Sequence, residues 1–85
     1  MEIELSSIAV KPNDYFFCEN CGRINWYENT ECVACEFPFI FEEIVLCGNE
    51  IIYPKFCSWI ESEYNYWINQ EGYTEEEVDE LRLEV

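Results

Sequence analysis

Residues 18–35 read CENCGRINWYENTECVAC, which places two CxxC pairs ten residues apart. Each pair can form a tight knuckle that presents two sulfurs, and the loop between them is long enough to bring the knuckles together. Four thiolates at this spacing are typical of a tetrahedral zinc site. The sequence therefore predicts one structural Zn²⁺ ion bound by Cys18, Cys21, Cys32 and Cys35.

Two other chemistries fit four cysteines. The first is a pair of disulfides in a small secreted domain. The start of the chain, residues 1–5, has neither a basic segment nor a long apolar stretch, so we expect no signal peptide and an intracellular, reducing compartment, cytoplasm or nucleus. The second is iron in a rubredoxin-like site, which also uses tetrahedral thiolates. Rubredoxins usually separate their pairs by a much longer stretch, so zinc is the preferred interpretation.

The residues between the ligands extend the pattern to C-x2-C-x3-N-x6-C-x2-C, with Asn25 at the N position and Phe16 two residues before the first ligand. Over residues 15–38 this pattern resembles the zinc finger of the Ran-binding-protein type, also called the nuclear-pore type, which usually has Trp where Phe16 stands. A generic zinc ribbon is the alternative. We expect the Asn25 amide to bond backbone groups near the knuckles and Phe16 to pack beside the metal site.

The resemblance implies two possible activities. Fingers of this type that bind ubiquitin carry a Thr-Phe pair after the second ligand, where this chain has Gly22 and Arg23. Others bind single-stranded RNA by stacking an aromatic residue between guanines, and Trp26 matches that position. The segment after it, residues 27–31, supplies carboxylates where a guanine reader needs arginines. An RNA-binding finger is therefore only the third function considered.

Charge separates the possible partners. The chain has 19 Asp and Glu against 4 Lys and Arg, a net charge of −15 over 85 residues. Four thiolates with one Zn²⁺ add further negative charge. Nucleic-acid affinity depends on basic groups, so we expect no direct binding to nucleic acid and none to an anionic membrane. The charge favours a basic protein partner, with plain solubility as the alternative.

Length and composition predict a small α+β protein. Residues 1–85 should form a single small domain, with a zinc-finger module at 15–38 and a hairpin plus helical part at 39–85. A core of this size is marginal, so a structural metal is an expected addition. The fold class is a four-Cys zinc finger or ribbon, a β-hairpin and one or two C-terminal α-helices.

Local patterns place these elements. Residues 2–10 alternate with a break near Ser6-Ser7, which predicts an interrupted strand. Two β-prone runs, 43–47 and 50–53, flank Gly48-Asn49 and predict the hairpin. From Pro54 onward, apolar residues recur at helical spacing until Gly72, which predicts an amphipathic helix with Trp59 and Trp67 in the core. Residues 74–77 form a capping-box pattern that should start a short acidic helix ending at about Leu83.

Two groups of residues are candidates for partner binding. Trp26 and Tyr27 lie in the loop between the knuckles, where little core is available to cover both rings, so we expect an exposed aromatic anchor. The acidic second helix would face a basic partner with Glu75, Glu76, Glu77, Asp79 and Glu80.

Cys47 and Cys57 are left over. They could form half of a second metal site or a disulfide, but small buried hydrophobes are the preferred interpretation. The chain has no His to act as a base. Four protein ligands would also leave the metal no open position for water, so we expect no enzyme.

The sequence thus favours a zinc-stabilised, acidic protein–protein interaction module that acts as an adaptor or regulator. The alternative is a small acidic inhibitor, of a kind that viruses and phages encode, that imitates nucleic acid and blocks a DNA- or RNA-binding enzyme. Because like charges repel, a monomer is the expected state.

Overall fold

The computed structural model describes residues 1–85 and contains four short strands and three helices. The strands are β1 (Glu2–Glu4), β2 (Tyr15–Phe17), β3 (Ile24–Trp26) and β4 (Arg82–Glu84). The helices are α1 (Leu5–Ala9), α2 (Tyr53–Asn69) and α3 (Glu75–Asp79), and 3-10 turns lie at Pro12–Asp14 and Phe41–Glu43. The predicted small α+β class is confirmed. No helix has the length and apolar character that crossing a membrane requires.

The first and last strands form one antiparallel pair, in which Ile3 lies opposite Leu83. The pairing continues past both strands, since the Leu5 amide donates to the Leu81 carbonyl at 2.7 Å. At the other end, the Val85 amide donates to the Met1 carbonyl at 2.8 Å. Both ends of the described chain are therefore held together at one edge of the molecule.

The second pair, β2 with β3, is the hairpin of this fold, with Phe16 opposite Asn25. The end of the chain attaches to this hairpin, because the Trp26 amide donates to the Val85 carbonyl at 2.8 Å. A guanidinium nitrogen of Arg23 donates to the Glu84 carbonyl at 3.2 Å. These bonds connect the cysteine-containing hairpin to the terminal strand pair.

One small core joins all parts of the chain. It contains one side chain from each of α1, β2, β3, the connection before α2, α2 itself and the end of the chain. These six residues are Ile8, Tyr15, Ile24, Cys47, Phe56 and Val85. Each of them is at most 2 % exposed. With six members, this core depends strongly on each one.

The amphipathic helix after Pro54 is confirmed as α2, a 17-residue helix with proline in its first turn. Phe56 is its only buried residue, and Trp59 packs against the core as predicted. Trp67 is different, because its ring lies 5.5 Å from that of Tyr73 and outside the core cluster. The end of α2 therefore packs on the turn that follows it, and the Tyr64 hydroxyl donates to Asp79 of α3.

The capping box before α3 is also confirmed. The Thr74 hydroxyl accepts a bond from the Glu77 amide at 3.2 Å, and the Glu77 carboxylate accepts one from the Thr74 amide at 3.2 Å. The helix ends at Asp79 rather than near Leu83. It stops early because residues 82–84 pair with β1.

The strand predicted over residues 2–10 is wrong beyond Glu4. The chain turns into α1, where Leu5 and Ile8 are both fully buried. These two side chains are three residues apart, so a helical turn places both on one face. A strand would have directed them to opposite faces.

The hairpin predicted over residues 43–53 is also wrong, because this segment forms successive turns. The Cys47 amide donates to the Tyr15 carbonyl at 2.8 Å, so the segment docks on β2 instead of pairing with itself. Gly48 lies against the Asn13 side chain, and a Cβ at this position would overlap the Asn13 amide. The Asn13 side chain is exposed, so it would have to turn away to admit a larger residue at this position.

Candidate metal centre

The structure brings together the four cysteines that the spacing singled out. Their sulfurs all lie within 4.8 Å of one another. Cys18 and Cys35 are separated by 3.7 Å between sulfurs, and Cys21 and Cys32 by 3.5 Å. A tetrahedral zinc site with bonds of about 2.3 Å has sulfur–sulfur edges of about 3.8 Å, whereas a disulfide bond measures about 2.05 Å. The cluster is therefore a set of free thiols that fits one metal ion.

The two knuckles have the same backbone geometry. In the first, the Gly22 amide donates to the Cys18 carbonyl at 2.8 Å. In the second, the Glu36 amide donates to the Cys32 carbonyl at 3.0 Å. Both turns end in a left-handed residue, with φ of 77° at Gly22 and 62° at Glu36. Only the first knuckle has a glycine at this position, which adopts the left-handed conformation without a steric cost.

The likeness of the knuckles extends to the chain on either side. Phe17 pairs with Ile24 across the first knuckle, and Glu31 pairs with Pro38 across the second. In each case the residue before the first cysteine of the knuckle pairs with the residue six positions after that cysteine. The centre is thus built from two copies of one supersecondary unit.

Asn25 connects the two knuckles. Its side chain is fully buried, and its carbonyl oxygen accepts a bond from the Val33 amide at 3.0 Å. Its amide nitrogen donates to the Arg23 carbonyl at 3.1 Å and to the Cys32 sulfur at 3.5 Å. The predicted role of this amide is therefore confirmed.

Phe16 has the predicted place beside the centre. It is 3 % exposed, and its ring meets that of Phe39 edge to face at 4.6 Å between centroids. Phe39 belongs to the segment that leaves the second knuckle, so this contact joins that segment to β2.

Polar hydrogens point at two of the sulfurs. Burial opposes ionisation of Cys32, but backbone hydrogen bonds from Cys35 and Ala34, with the Asn25 amide, lower its pKa to about 6. The Asn20 amide donates to the Cys35 sulfur at 3.4 Å and lowers the pKa of that thiol. These hydrogen bonds therefore favour the thiolate form of both residues, which is the form that binds a metal ion.

Cys21 resists ionisation while no cation is bound. A backbone hydrogen bond from Arg23 lowers the pKa of Cys21, but burial and the neighbouring thiols outweigh it and raise the pKa to about 12. A divalent ion among the four sulfurs would reverse this balance and release protons. Four thiolates would fill a tetrahedral ion, which leaves no ligand position for water or substrate.

The predicted aromatic anchor is divided between two environments. Trp26 belongs to β3, is half-buried, and meets Tyr15 edge to face at 5.6 Å. Tyr27 is 38 % exposed and lies 4.7 Å from Trp26 between ring centroids. Only Tyr27 is open to solvent to the extent that the prediction required.

The predicted acidic residues lie on and just after α3, but they are not equivalent. Glu75, Glu76 and Glu80 are exposed and free of side-chain hydrogen bonds. Glu77 caps the helix, and Asp79 is half-buried and accepts a bond from the Tyr64 hydroxyl. Three of the five carboxylates are therefore free for a partner.

The two remaining cysteines lie apart from the metal centre. Cys47 is fully buried in the core, as predicted, and burial raises its pKa to about 12 against the opposing charge of Lys55. Cys57 is exposed on α2, so the prediction of burial is wrong for this residue. Both are free thiols.

One surface was missed by the sequence interpretation. Residues 40–51 include four large apolar side chains that face solvent: Ile40, Phe41, Val45 and Ile51. Assigning the second half of this segment to a hairpin implied that alternate residues would be covered. Hydrophobicity alone could not reveal that these four stay exposed.

No family model, curated protein or solved structure matches this chain. The similarity to the Ran-binding-protein type of finger over residues 15–38 therefore rests on the cysteine spacing, Asn25 and Phe16, and remains a resemblance.

Proposed function

We propose that this chain is a zinc-stabilised acidic module for protein–protein interaction, an adaptor or regulator that binds a basic protein partner. The observation that carries the proposal is the closed set of four sulfurs, 3.5 and 3.7 Å apart across the cluster, in a chain of net charge −15. Zinc suits four thiolates because it is a borderline-soft ion whose filled d shell imposes no geometry of its own, so it accepts a tetrahedral set of ligands. Its role would be structural.

The surface charge supports a basic partner. Only two ion pairs form, the Met1 amine with Glu84 and Arg82 with Glu4, and both are largely exposed. Most of the 19 acidic side chains therefore have no cation of the same chain beside them. Such a field accelerates association with a positively charged protein and repels an acidic one.

The finger itself has little with which to read RNA. Arg23 is its only basic residue, and this guanidinium already donates to the Glu84 carbonyl. Trp26, the residue at the stacking position, packs against the core. The fold already uses both groups that an RNA-binding finger would need, which favours a protein partner. A reducing compartment, cytoplasm or nucleus, belongs to the same proposal, because four cysteines that bind a metal must stay reduced.

A second candidate function is supported by the end of the chain. Between Glu71 and Val85 there are seven acidic residues and one Arg. The free carboxylates of Glu75, Glu76 and Glu80 could imitate phosphates and occupy the basic groove of a DNA- or RNA-binding enzyme. This alternative is an inhibitor, and its binding should weaken steeply with salt.

Two measurements test these proposals. Native mass spectrometry should find one zinc ion per chain and mainly monomer, and Cys18→Ser/Cys21→Ser should lose the ion. The zinc-loaded chain is then immobilised, incubated with nuclease-treated lysate of its own cells and eluted with stepped salt. A basic nucleic-acid enzyme that DNA displaces at moderate salt supports inhibition. A basic partner that survives high salt supports the adaptor, and retention of no basic protein contradicts both.

A further inference from the structure

A groove opens beside the metal centre, between the finger and the start of α2. Its walls come from β2, from the segment leaving the second knuckle and from the connection before α2, including Phe17, Phe39, Ile44 and Ile52. The volume is about 250 Å³, and nine of its 13 lining residues are hydrophobic. Cys18 also lines it, so metal binding would brace one wall.

Apolar side chains continue from the groove onto the surface. Ile40 and Val45 line it and are 59 % and 47 % exposed. Phe41 and Ile51, in the same connection, are 62 % and 81 % exposed. Large exposed apolar side chains concentrated in one connection are unusual on a protein surface and are typical of an interaction site.

The stretch of chain that supplies most of the groove's lining is acidic. Between Arg23 and Lys55 the chain has no basic residue, and it has six exposed glutamates: Glu28, Glu31, Glu36, Glu42, Glu43 and Glu50. Glu19 and Glu43 line the groove itself. Lys55 is the only cation in the lining, and its ammonium lies 4.7 Å from the centroid of the Phe17 ring.

We infer that this groove is where the basic partner docks, and that it takes a basic amphipathic segment of that partner. The inference rests on the proposed function and assigns it a surface. Apolar side chains of the segment would enter between Phe17 and Ile44, and its Lys and Arg would face Glu19 and Glu43. Charge supplies steering and register, whereas buried apolar anchors supply most of the affinity.

Other occupants fit less well. Pockets for small ligands usually measure about 300–1,000 Å³ and enclose most of the ligand, while this groove is smaller and partly open to solvent. A second copy of the chain would bring two strongly acidic surfaces together. Nucleic acid would be repelled for the same reason.

The probe for this inference is a fluorescein-labelled amphipathic peptide of leucine and lysine, titrated with the zinc-loaded chain at low and high salt. Fluorescence anisotropy measures the affinity, and amide NMR shifts locate the site. Ile40→Ser/Val45→Ser should weaken binding by about tenfold or more, because two anchor contacts are removed. Val10→Ser, which changes a 74 % exposed apolar residue outside the groove, should leave the affinity within about twofold.

Folding is checked separately by zinc content and by the dispersion of the NMR spectrum, since Ile40 and Val45 lie outside the core. The inference is overturned if the groove variant binds normally while Glu75→Gln/Glu76→Gln/Glu80→Gln does not. That result would place the basic partner on α3 and leave the proposed function intact.

Three further results would also overturn it. A scrambled, non-amphipathic peptide that binds equally well would reduce the interaction to charge alone. Dimerisation in sedimentation that the groove variant abolishes would make a second copy the occupant. Failure of every basic peptide, together with an empty pull-down, would reject the proposed function as well as the groove.

Discussion

Glu36 is an unusual residue at the end of the second knuckle, because its φ of 62° is one that glycine adopts most easily. Gly22 occupies the same position in the first knuckle with φ of 77°. The left-handed conformation disfavours a residue with a Cβ by about 1–2 kcal/mol. The two knuckles therefore provide a matched comparison of the same backbone with and without a side chain.

We predict that Glu36→Gly stabilises the zinc-loaded fold by roughly 0.5–1 kcal/mol, after the greater freedom of glycine in the unfolded chain is subtracted. The reciprocal variant, Gly22→Ala, should destabilise it by about 1 kcal/mol. Nothing lies within 4 Å of a Cβ at Gly22, so this effect would come from the backbone alone. Urea denaturation gives both values, and a destabilising Glu36→Gly would contradict the prediction.

The two spare thiols should differ sharply in reactivity. Cys57 is exposed on α2, whereas Cys47 is fully buried and has its pKa raised to about 12 by burial. Since the thiolate is the reactive form, iodoacetamide should modify one site in the zinc-loaded chain, at Cys57. Peptide mapping by mass spectrometry identifies the site, and Cys57→Ser should leave the native chain unmodified. Alkylation of Cys47 at a similar rate without denaturant would show that the core is more open than described.

At the scale of elements, β4 and the residue after it hold three parts of the molecule together. The Val85 amide bonds to Met1, its carbonyl accepts from Trp26, and its side chain is fully buried in the core. Removing two methyl groups from this side chain leaves a cavity that the neighbours only partly fill.

We predict that Val85→Ala lowers the free energy of unfolding by about 2 kcal/mol. The matched control is Val10→Ala, at a 74 % exposed valine, which should change it by less than about 0.5 kcal/mol. Tryptophan fluorescence during urea unfolding measures both variants. Equal effects would mean that Val85 does not belong to the cooperative core.

Elements with a strong local signal could be predicted from the sequence. The spacing of the four cysteines is enough to identify the candidate ligands, and the amide of Asn25 has the role that its position suggested. The apolar period after Pro54 and the Thr74–Glu77 pattern identify α2 and α3 in the same way. Each of these signals is a local pattern in a short continuous stretch of sequence.

The remaining elements depend on contacts that a local pattern does not contain. β4 has three residues and exists because β1, almost the whole chain away, offers it a partner. The run around Gly48 is β-prone by composition, but the Cys47 amide donates to the Tyr15 carbonyl, and the Asn49 and Ile52 amides close turns within the segment. The exposure of the apolar side chains in residues 40–51 could not be predicted for the same reason. Composition shows that these residues are hydrophobic, but not whether other parts of the chain cover them.

For the whole molecule, metal binding should depend steeply on pH. Zinc displaces the protons of the thiols, so its affinity must fall as the pH falls. In the metal-free cluster the pKa of Cys32 is lowered to about 6, so this thiol is already ionised at neutral pH. Below about pH 6 it is protonated as well, and one more proton is released for each zinc ion bound.

We therefore predict that a plot of log affinity against pH becomes steeper as the pH falls through about 6. Competition with a chelator of known affinity between pH 5 and 8 measures the slope. Cys57→Ser should not change it, since this thiol lies outside the cluster. Asn25→Ala, which removes one of the donors to Cys32, should move the break to higher pH. A slope that stays constant across this range would contradict the prediction that Cys32 loses its proton near pH 6 in the metal-free chain.

The pairing of β1 with β4 has a consequence for the order of assembly. Glu2 meets Glu84, whereas the outermost metal ligands, Cys18 and Cys35, are separated by 17 positions. The entropy lost on closing a loop rises with its length, and contacts between distant residues slow folding. We expect the finger to form early around its ion and the terminal strands to join last. In stopped-flow refolding, added zinc should then accelerate the first phase, and Val85→Ala should act mainly on the rate of unfolding.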